Sequence, residues 1–120
     1  MIAGLIAALL AGLVLFLTGA PLALGAHPFW AVKVIAIGVP LGAVMFVALF
    51  RLRKMSVLFG SGAMICVAYA VADIGKSRFG ASYGDDAFAG QMWFFGWIAI
   101  CAFVALFVAA AARRALDNNG

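Results

Sequence analysis

Four long apolar runs, separated by short polar segments, account for most of the chain. They cover roughly residues 2–20, 29–50, 55–74 and 89–112. A helix needs about 20 mostly apolar residues to cross a bilayer, so each run is long enough to span. None shows the period-two alternation of a barrel strand, and lipid requires backbone groups to bond within the segment. Each run is therefore predicted to be a membrane-spanning helix.

Composition supports the same fold class. Of the 120 residues, 68% are hydrophobic and 10% are charged, whereas an average soluble domain is about 25% charged. A soluble protein of this size has too little interior to bury so much apolar surface, so the bilayer must supply the burial. We predict an all-α integral membrane protein, a single four-transmembrane-helix bundle over residues 1–120, with outer loops at 21–28 and 75–88.

The first run also has some features of a signal peptide. Ala26 offers a small-residue cleavage site, but the positive region that precedes such signals is missing and the run is long for one. We expect the segment to be retained as the first helix.

The basic residues lie at the ends of the runs, where they act as orientation signals. With the N-terminus inside, the cytoplasmic segments hold five cations: Arg51, Arg53, Lys54, Arg113 and Arg114. The outer segments hold three: Lys33, Lys76 and Arg78. This bias predicts that both termini are cytoplasmic, and we expect the bacterial inner membrane as the location. Because the net charge of +4 is distributed in this way, we expect contact with lipid headgroups and no nucleic-acid binding.

Tryptophans open the second and fourth runs on the outer side. They are Trp30, Trp93 and Trp97. Such amphipathic rings favour the headgroup region, so we interpret them as interfacial anchors. A quinone or lipid pocket lined by these rings is the alternative.

Asp73 is an acidic residue at the end of the third apolar run. It lies about 27 Å along the third helix if that helix starts near Met55, which places it near the outer surface. Lys76 follows on the same face, and Lys33 has a similar depth on the second helix, so either is a candidate partner. We interpret Asp73 as part of a rim ion pair that fixes helix packing. The functional alternative is a proton- or ion-binding carboxylate, since charge within a membrane is often functional.

Two patterns predict helix packing. In the third run, Gly62, Cys66, Tyr69 and Asp73 are spaced by four, three and four residues, so they share one helix face. We expect this face inside the bundle or at an oligomer interface. In the second run, Gly38 and Gly42 have the small-xxx-small spacing that lets helices approach closely. Pro40 between them predicts a kink, with a gating hinge as the alternative.

No residue pattern indicates a cofactor, a metal or a catalytic set. His27 is the only histidine, and one histidine without ligands at the usual spacing does not make a metal site. Asp85 and Asp86 could join it across loops, but we favour their role as a cap for the fourth helix. We interpret Cys66 and Cys101 as free thiols that act as small apolar residues.

Two functions fit these observations. A structural or accessory subunit of a larger membrane complex fits the small-residue faces and the near absence of charge inside the runs. A small homo-oligomeric transporter or channel, with an outer-side site at Asp73 and Lys33, is the alternative. An enzyme acting on lipid or quinone would have to use the outer polar groups, whose spacing specifies no mechanism. The expected partners are lipid and either other membrane subunits or copies of the chain itself.

Overall fold

The computed structural model describes residues 2–26, 30–83 and 87–119, which contain five helices. The helices are α1 (Ile2–Thr18), α2 (Ala20–Leu24), α3 (Ala31–Ala48), α4 (Lys54–Ala81) and α5 (Ala87–Asn119). Three of them, α3, α4 and α5, are long and apolar enough to cross a membrane, and α1 is a shorter apolar helix. The described part of the chain is all-helical and compatible with the predicted membrane bundle.

Helix α5 is the centre of the bundle, because α1, α3 and α4 all pack against it. Its contact faces are built from small side chains: Ala102, Ala105 and Ala109 are at most 1% exposed. Small residues let helix backbones approach closely, which is how helices associate where lipid removes the hydrophobic driving force. The sequence of α5 thus allows three neighbours around one helix.

A break at Gly19 separates α1 from α2. Gly19 has a φ of 65°, a left-handed conformation that glycine adopts without steric cost. Pro21 then lies in the first turn of α2, where a missing N–H costs no hydrogen bond. The helix ends at Leu24 and is followed by Gly25, whose φ is 126°. Part of the predicted outer loop 21–28 is therefore helical, and residues 27–29 lie outside the described residues.

Helices α4 and α5 extend well beyond the predicted spans. Helix α4 ends at Ala81 rather than near residue 74, and α5 ends at Asn119 rather than near 112. With 28 and 33 residues they are about 42 and 50 Å long at 1.5 Å per residue. The prediction followed hydropathy, which falls at Lys76, but backbone hydrogen bonding continues through polar residues. Most of the predicted loop 75–88 is thus helix, although residues 84–86 are not described.

The face of α4 that packs against α5 differs from the predicted one. The buried positions on α4 are Val57, Ser61, Ala68, Ala72 and Gly75. On the predicted packing face of α4, Gly62 is half-buried, and the other three residues, Cys66, Tyr69 and Asp73, are exposed. Within the single chain this face is therefore largely uncovered, and its other predicted role, as an oligomer interface, stays a prediction. Glycine and alanine occur on several faces of α4, so their spacing alone did not identify the contact with α5.

The two ends of the bundle differ in composition and are called the α2 end and the basic end. The α2 end contains the C-terminus of α2, Trp30 and the turn after α4. The basic end contains the C-terminus of α3, Arg51 and Arg53, together with Arg113 of α5.

Candidate functional site at the α2 end

The C-terminus of α2 is held by two aromatic side chains. The last carbonyl groups of a helix lack partners within it and need donors from elsewhere. The Tyr69 hydroxyl of α4 donates to the Leu24 carbonyl oxygen at 3.3 Å, and Trp93 Nε1 of α5 donates to the Gly25 carbonyl oxygen at 2.9 Å. These bonds join α2 to both helices of the α4–α5 pair.

Lys76 lies across Gly25. A Cβ atom placed on Gly25 would be 3.3 Å from Lys76 Nζ and 3.8 Å from its Cδ. Glycine at this position therefore serves two purposes, because it adopts the positive φ and leaves room for the lysine chain. The ammonium group is brought close to the exposed carbonyl end of α2, where a cation is favourable.

An aromatic cluster surrounds this end. Trp30 contacts Trp93 and Phe94 edge-on, with ring centroids 5.1 and 5.2 Å apart. Tyr69 contacts Trp97 in the same way at 6.1 Å. Trp93 is 8% exposed and Trp97 is 3% exposed. Both rings pack within the protein, whereas Trp30 is half-buried. The role of the three tryptophans as interfacial anchors stays a prediction.

Asp73 and Lys76 line one narrow cleft of about 10 Å³ beside α2. Both side chains are exposed, and Tyr69 and Trp93 form part of the same cleft. Lys33 is exposed on α3 and is not among the described residues that line the cleft. The structure thus brings Asp73 and Lys76 together, while the pairing of Asp73 with Lys33 stays a prediction.

An apolar groove of about 410 Å³ adjoins this cleft. It runs between α1, α2, α4 and α5, and its lining is Leu15, Pro21, Leu24, Ile65, Cys66, Tyr69, Trp97, Ile100, Cys101 and Val104. Both cysteines are free; Cys66 is exposed and Cys101 is buried. Leu24, Tyr69 and Trp97 belong to the groove and to the cleft, so the two spaces meet at the Tyr69–Leu24 hydrogen bond.

At the basic end, Arg113 binds the turn that follows α3. It donates from Nη1 to the Phe50 carbonyl oxygen at 2.7 Å, and its guanidinium carbon lies 3.8 Å from the centre of the Phe50 ring. The predicted anchors Arg51, Arg53 and Arg114 are exposed, and the side chain of Lys54 lies outside the described part of the chain. Arg113 therefore links α5 to the segment that follows α3, and its role as a membrane anchor stays a prediction.

The glycines of α3 lie at its contact with α5. A Cβ on Gly38 would be 2.6 Å from the Cys101 Cβ and 2.7 Å from the Ile98 carbonyl oxygen, and one on Gly42 would meet Ala102 and Ala105. Helix α3 continues through Pro40, which is exposed. The kink and the hinge at Pro40 stay predictions.

Three further candidates, His27, Asp85 and Asp86, lie outside the described residues. Among the residues that are described, no three His, Cys, Asp or Glu side chains are grouped for a metal ion. Ser61 is the one buried polar side chain in the same set, and it donates to the Leu58 carbonyl oxygen at 3.0 Å.

The sequence reasoning missed the residues that build this site through their backbone. Leu24 and Gly25 act through carbonyl groups, which no side-chain pattern marks. A signal was nevertheless present in the segment from Gly19 to Gly25, because a proline flanked by two glycines is typical of a short helix with a defined start and end.

Comparison with known proteins gives no match from which a function could be inferred. No protein-family model, curated protein or solved structure matches this chain. The function must therefore be inferred from the chain's own residues.

Proposed function

We propose that this chain is a structural or accessory subunit of a larger membrane complex, and that α4 provides the contact with another membrane helix. The observation that carries this proposal is a set of small residues on a face of α4 that α5 does not cover. Ser56 and Gly60 are exposed and four residues apart, the small-xxx-small spacing of close helix pairs. Ala63 and Ala70 are also exposed and continue the same face.

Gly60 is the most informative member of this face. A Cβ atom on it would have no atom of the chain within 4 Å, apart from the helix's own local backbone. Glycine in a helix interior costs about 1 kcal/mol relative to alanine, and the contacts of the single chain do not offset this cost. Close approach of a helix from another chain would offset this cost.

The exposed surface of α1 provides a contrast within the same molecule. Its outward residues are large and apolar, with Ile2, Leu9 and Leu17 between 62% and 74% exposed. Long aliphatic side chains make good contact with lipid tails and keep backbones apart. We therefore assign the surface of α1 to lipid and the small-residue face of α4 to a protein partner.

The charge distribution supports an orientation for this subunit. Arg51, Arg53, Arg113 and Arg114 lie at the basic end, and short loops rich in cations stay in the cytoplasm. We propose that this end and both termini are cytoplasmic, in a bacterial inner membrane.

The test is affinity purification from native membranes in mild detergent, followed by native mass spectrometry. The variant is Gly60→Leu, and the matched control is Gly80→Leu, because Gly80 is also helical and has nothing near its Cβ position. We expect the wild type and Gly80→Leu to co-purify with other membrane subunits in a fixed ratio. Gly60→Leu should lose most of them while keeping its helix content.

A homo-oligomer without other proteins would overturn the accessory role and favour the second candidate, a small transporter or channel with a site at Asp73 and Lys33. The observation that favours it is the exposed position of Asp73 in the cleft at the α2 end. Its test is flux into proteoliposomes, where Asp73→Asn should abolish a pH-driven flux and leave folding intact.

A further inference from the structure

The groove at the α2 end offers space for an apolar chain, and the charged side chains of the neighbouring cleft lie at one end of it. The groove is lined almost wholly by apolar side chains, and its volume of about 410 Å³ is within the range of about 300–1,000 Å³ of small-molecule sites. The cleft adds a carboxylate and an ammonium group at one end. An apolar chain can occupy the groove while a charged headgroup lies across the mouth of the cleft.

The groove and the cleft together span a length that fits one leaflet of a bilayer. Along α4, the lining runs from Ile65 in the groove to Lys76 in the cleft. These residues are 11 positions apart, which is about 16 Å of helix and about half of the 30 Å hydrocarbon thickness. Lys76 lies about 33 Å from the start of α4 and so reaches headgroup level when the basic end is at the other surface.

The charges in the cleft select among headgroups. Asp73 carries a negative charge and Lys76 a positive one, and both side chains are exposed and can turn toward a ligand. A phosphate pairs with Lys76, and a primary ammonium group pairs with Asp73 through charge-assisted hydrogen bonds. An anionic lipid satisfies the lysine alone and is repelled by Asp73, and a quinone satisfies neither charge.

We propose that the α2 end binds one zwitterionic phospholipid with a primary ammonium headgroup, such as a phosphatidylethanolamine. One acyl chain lies in the groove between α1, α2, α4 and α5. The phosphate contacts Lys76 and the ammonium contacts Asp73. This site is independent of the partner face of α4, since Gly60 and Ala63 line neither the groove nor the cleft among the described residues.

The test is a titration of the protein in non-ionic detergent with brominated phosphatidylethanolamine or phosphatidylglycerol carrying identical chains. Bromine quenches tryptophan fluorescence on contact, and Trp97 lines the groove. The wild type should bind the ethanolamine lipid about fivefold more tightly than the glycerol lipid, which is the effect of about one exposed ion pair.

Three variants separate the headgroup contacts from the groove. Lys76→Gln should weaken binding of both lipids about fivefold, whereas Arg78→Gln, an exposed cation two residues further along α4, should leave it unchanged. Asp73→Asn should weaken only the ethanolamine lipid and abolish the preference between the two. Circular dichroism checks that each variant keeps its helices.

Cys66→Phe tests the groove itself. Cys66 is exposed and lines the groove, so a larger ring there should lower quenching by both lipids. Equal binding of the two lipids to the wild type would overturn the proposal, as would equal effects of Lys76→Gln and Arg78→Gln. Displacement of the lipid by an isoprenoid quinone with equal strength in wild type and Lys76→Gln would assign the groove to a quinone instead.

Discussion

Each end of the bundle is closed at the C-terminus of a helix, but by different chemistry. At the basic end, Arg113 of α5 donates a charged hydrogen bond to the Phe50 carbonyl after α3. At the α2 end, Trp93 and Tyr69 donate neutral hydrogen bonds to the carbonyls of Gly25 and Leu24. Helix C-termini leave carbonyls without partners, so both ends meet the same requirement.

The difference follows from where each donor lies. Trp93 is 8% exposed, and a neutral indole can be buried in apolar surroundings once its N–H is bonded. Arg113 is half-buried, so its guanidinium can stack on the Phe50 ring while the side chain keeps some contact with water. Burying a charge would cost far more than burying an indole. The buried donor is therefore the neutral Trp93, and the half-buried donor at the other end is the cation Arg113.

Among the substitutions that test this comparison, loss of the Trp93 ring should lower the stability of the protein the most. Trp93→Ala removes a buried ring together with the hydrogen bond to Gly25, and we expect a loss of about 3–5 kcal/mol in the free energy of unfolding. Denaturant unfolding in lipid bicelles measures it. Phe95→Ala, two residues away and 59% exposed, is the control and should cost much less. Similar losses in the two variants would show that the α2 end does not depend on Trp93.

Arg113→Met should have an intermediate effect of about 1–2 kcal/mol. It removes a charge-assisted hydrogen bond and the contact with the Phe50 ring, but water can replace part of both at a half-exposed position. Arg114→Met removes the same charge from the next, exposed position and should change stability little. The same unfolding assay compares them. If both variants lose the same amount, the role of Arg113 is charge alone.

Tyr69→Phe should have the smallest effect, below about 0.6 kcal/mol, the average for a hydrogen bond in a membrane protein. Its bond to Leu24 is long at 3.3 Å, Tyr69 is 42% exposed, and the ring contact with Trp97 is kept. Tyr83→Phe is the control, since Tyr83 is 97% exposed. A loss above 1.5 kcal/mol would mean that Tyr69, rather than Trp93, is the main link to α2.

The apolar runs predicted the helical class and the approximate position of each long helix. The paired glycines of α3 also pointed to a contact surface, and the structure places Gly38 and Gly42 against α5. Each of these features depends on the residues of a single segment. Hydropathy sets which segments favour lipid, and a glycine pair is informative because side chains would hold the backbones apart.

Other features depend on which helices become neighbours. Glycine, alanine and serine lie all around α4, so several faces could have packed, and the face with Ala72 and Gly75 is buried because Gly96 and Ala89 of α5 meet it there. The burial of Trp97 follows from the same contact. Near the end of α4, Phe79 lies beside Gly90 of α5, a contact that a hydropathy window cannot reveal.

The sequence by itself determined that this chain is helical and suited to a membrane, because apolar length and backbone hydrogen bonding are properties of each segment alone. Tertiary structure decided which side chains meet. It placed Lys76 over Gly25, gave Trp93 its carbonyl partner and joined the apolar groove to the charged cleft. Such contacts combine residues up to 68 positions apart, and their geometry is set by how closely the helices around α5 can approach.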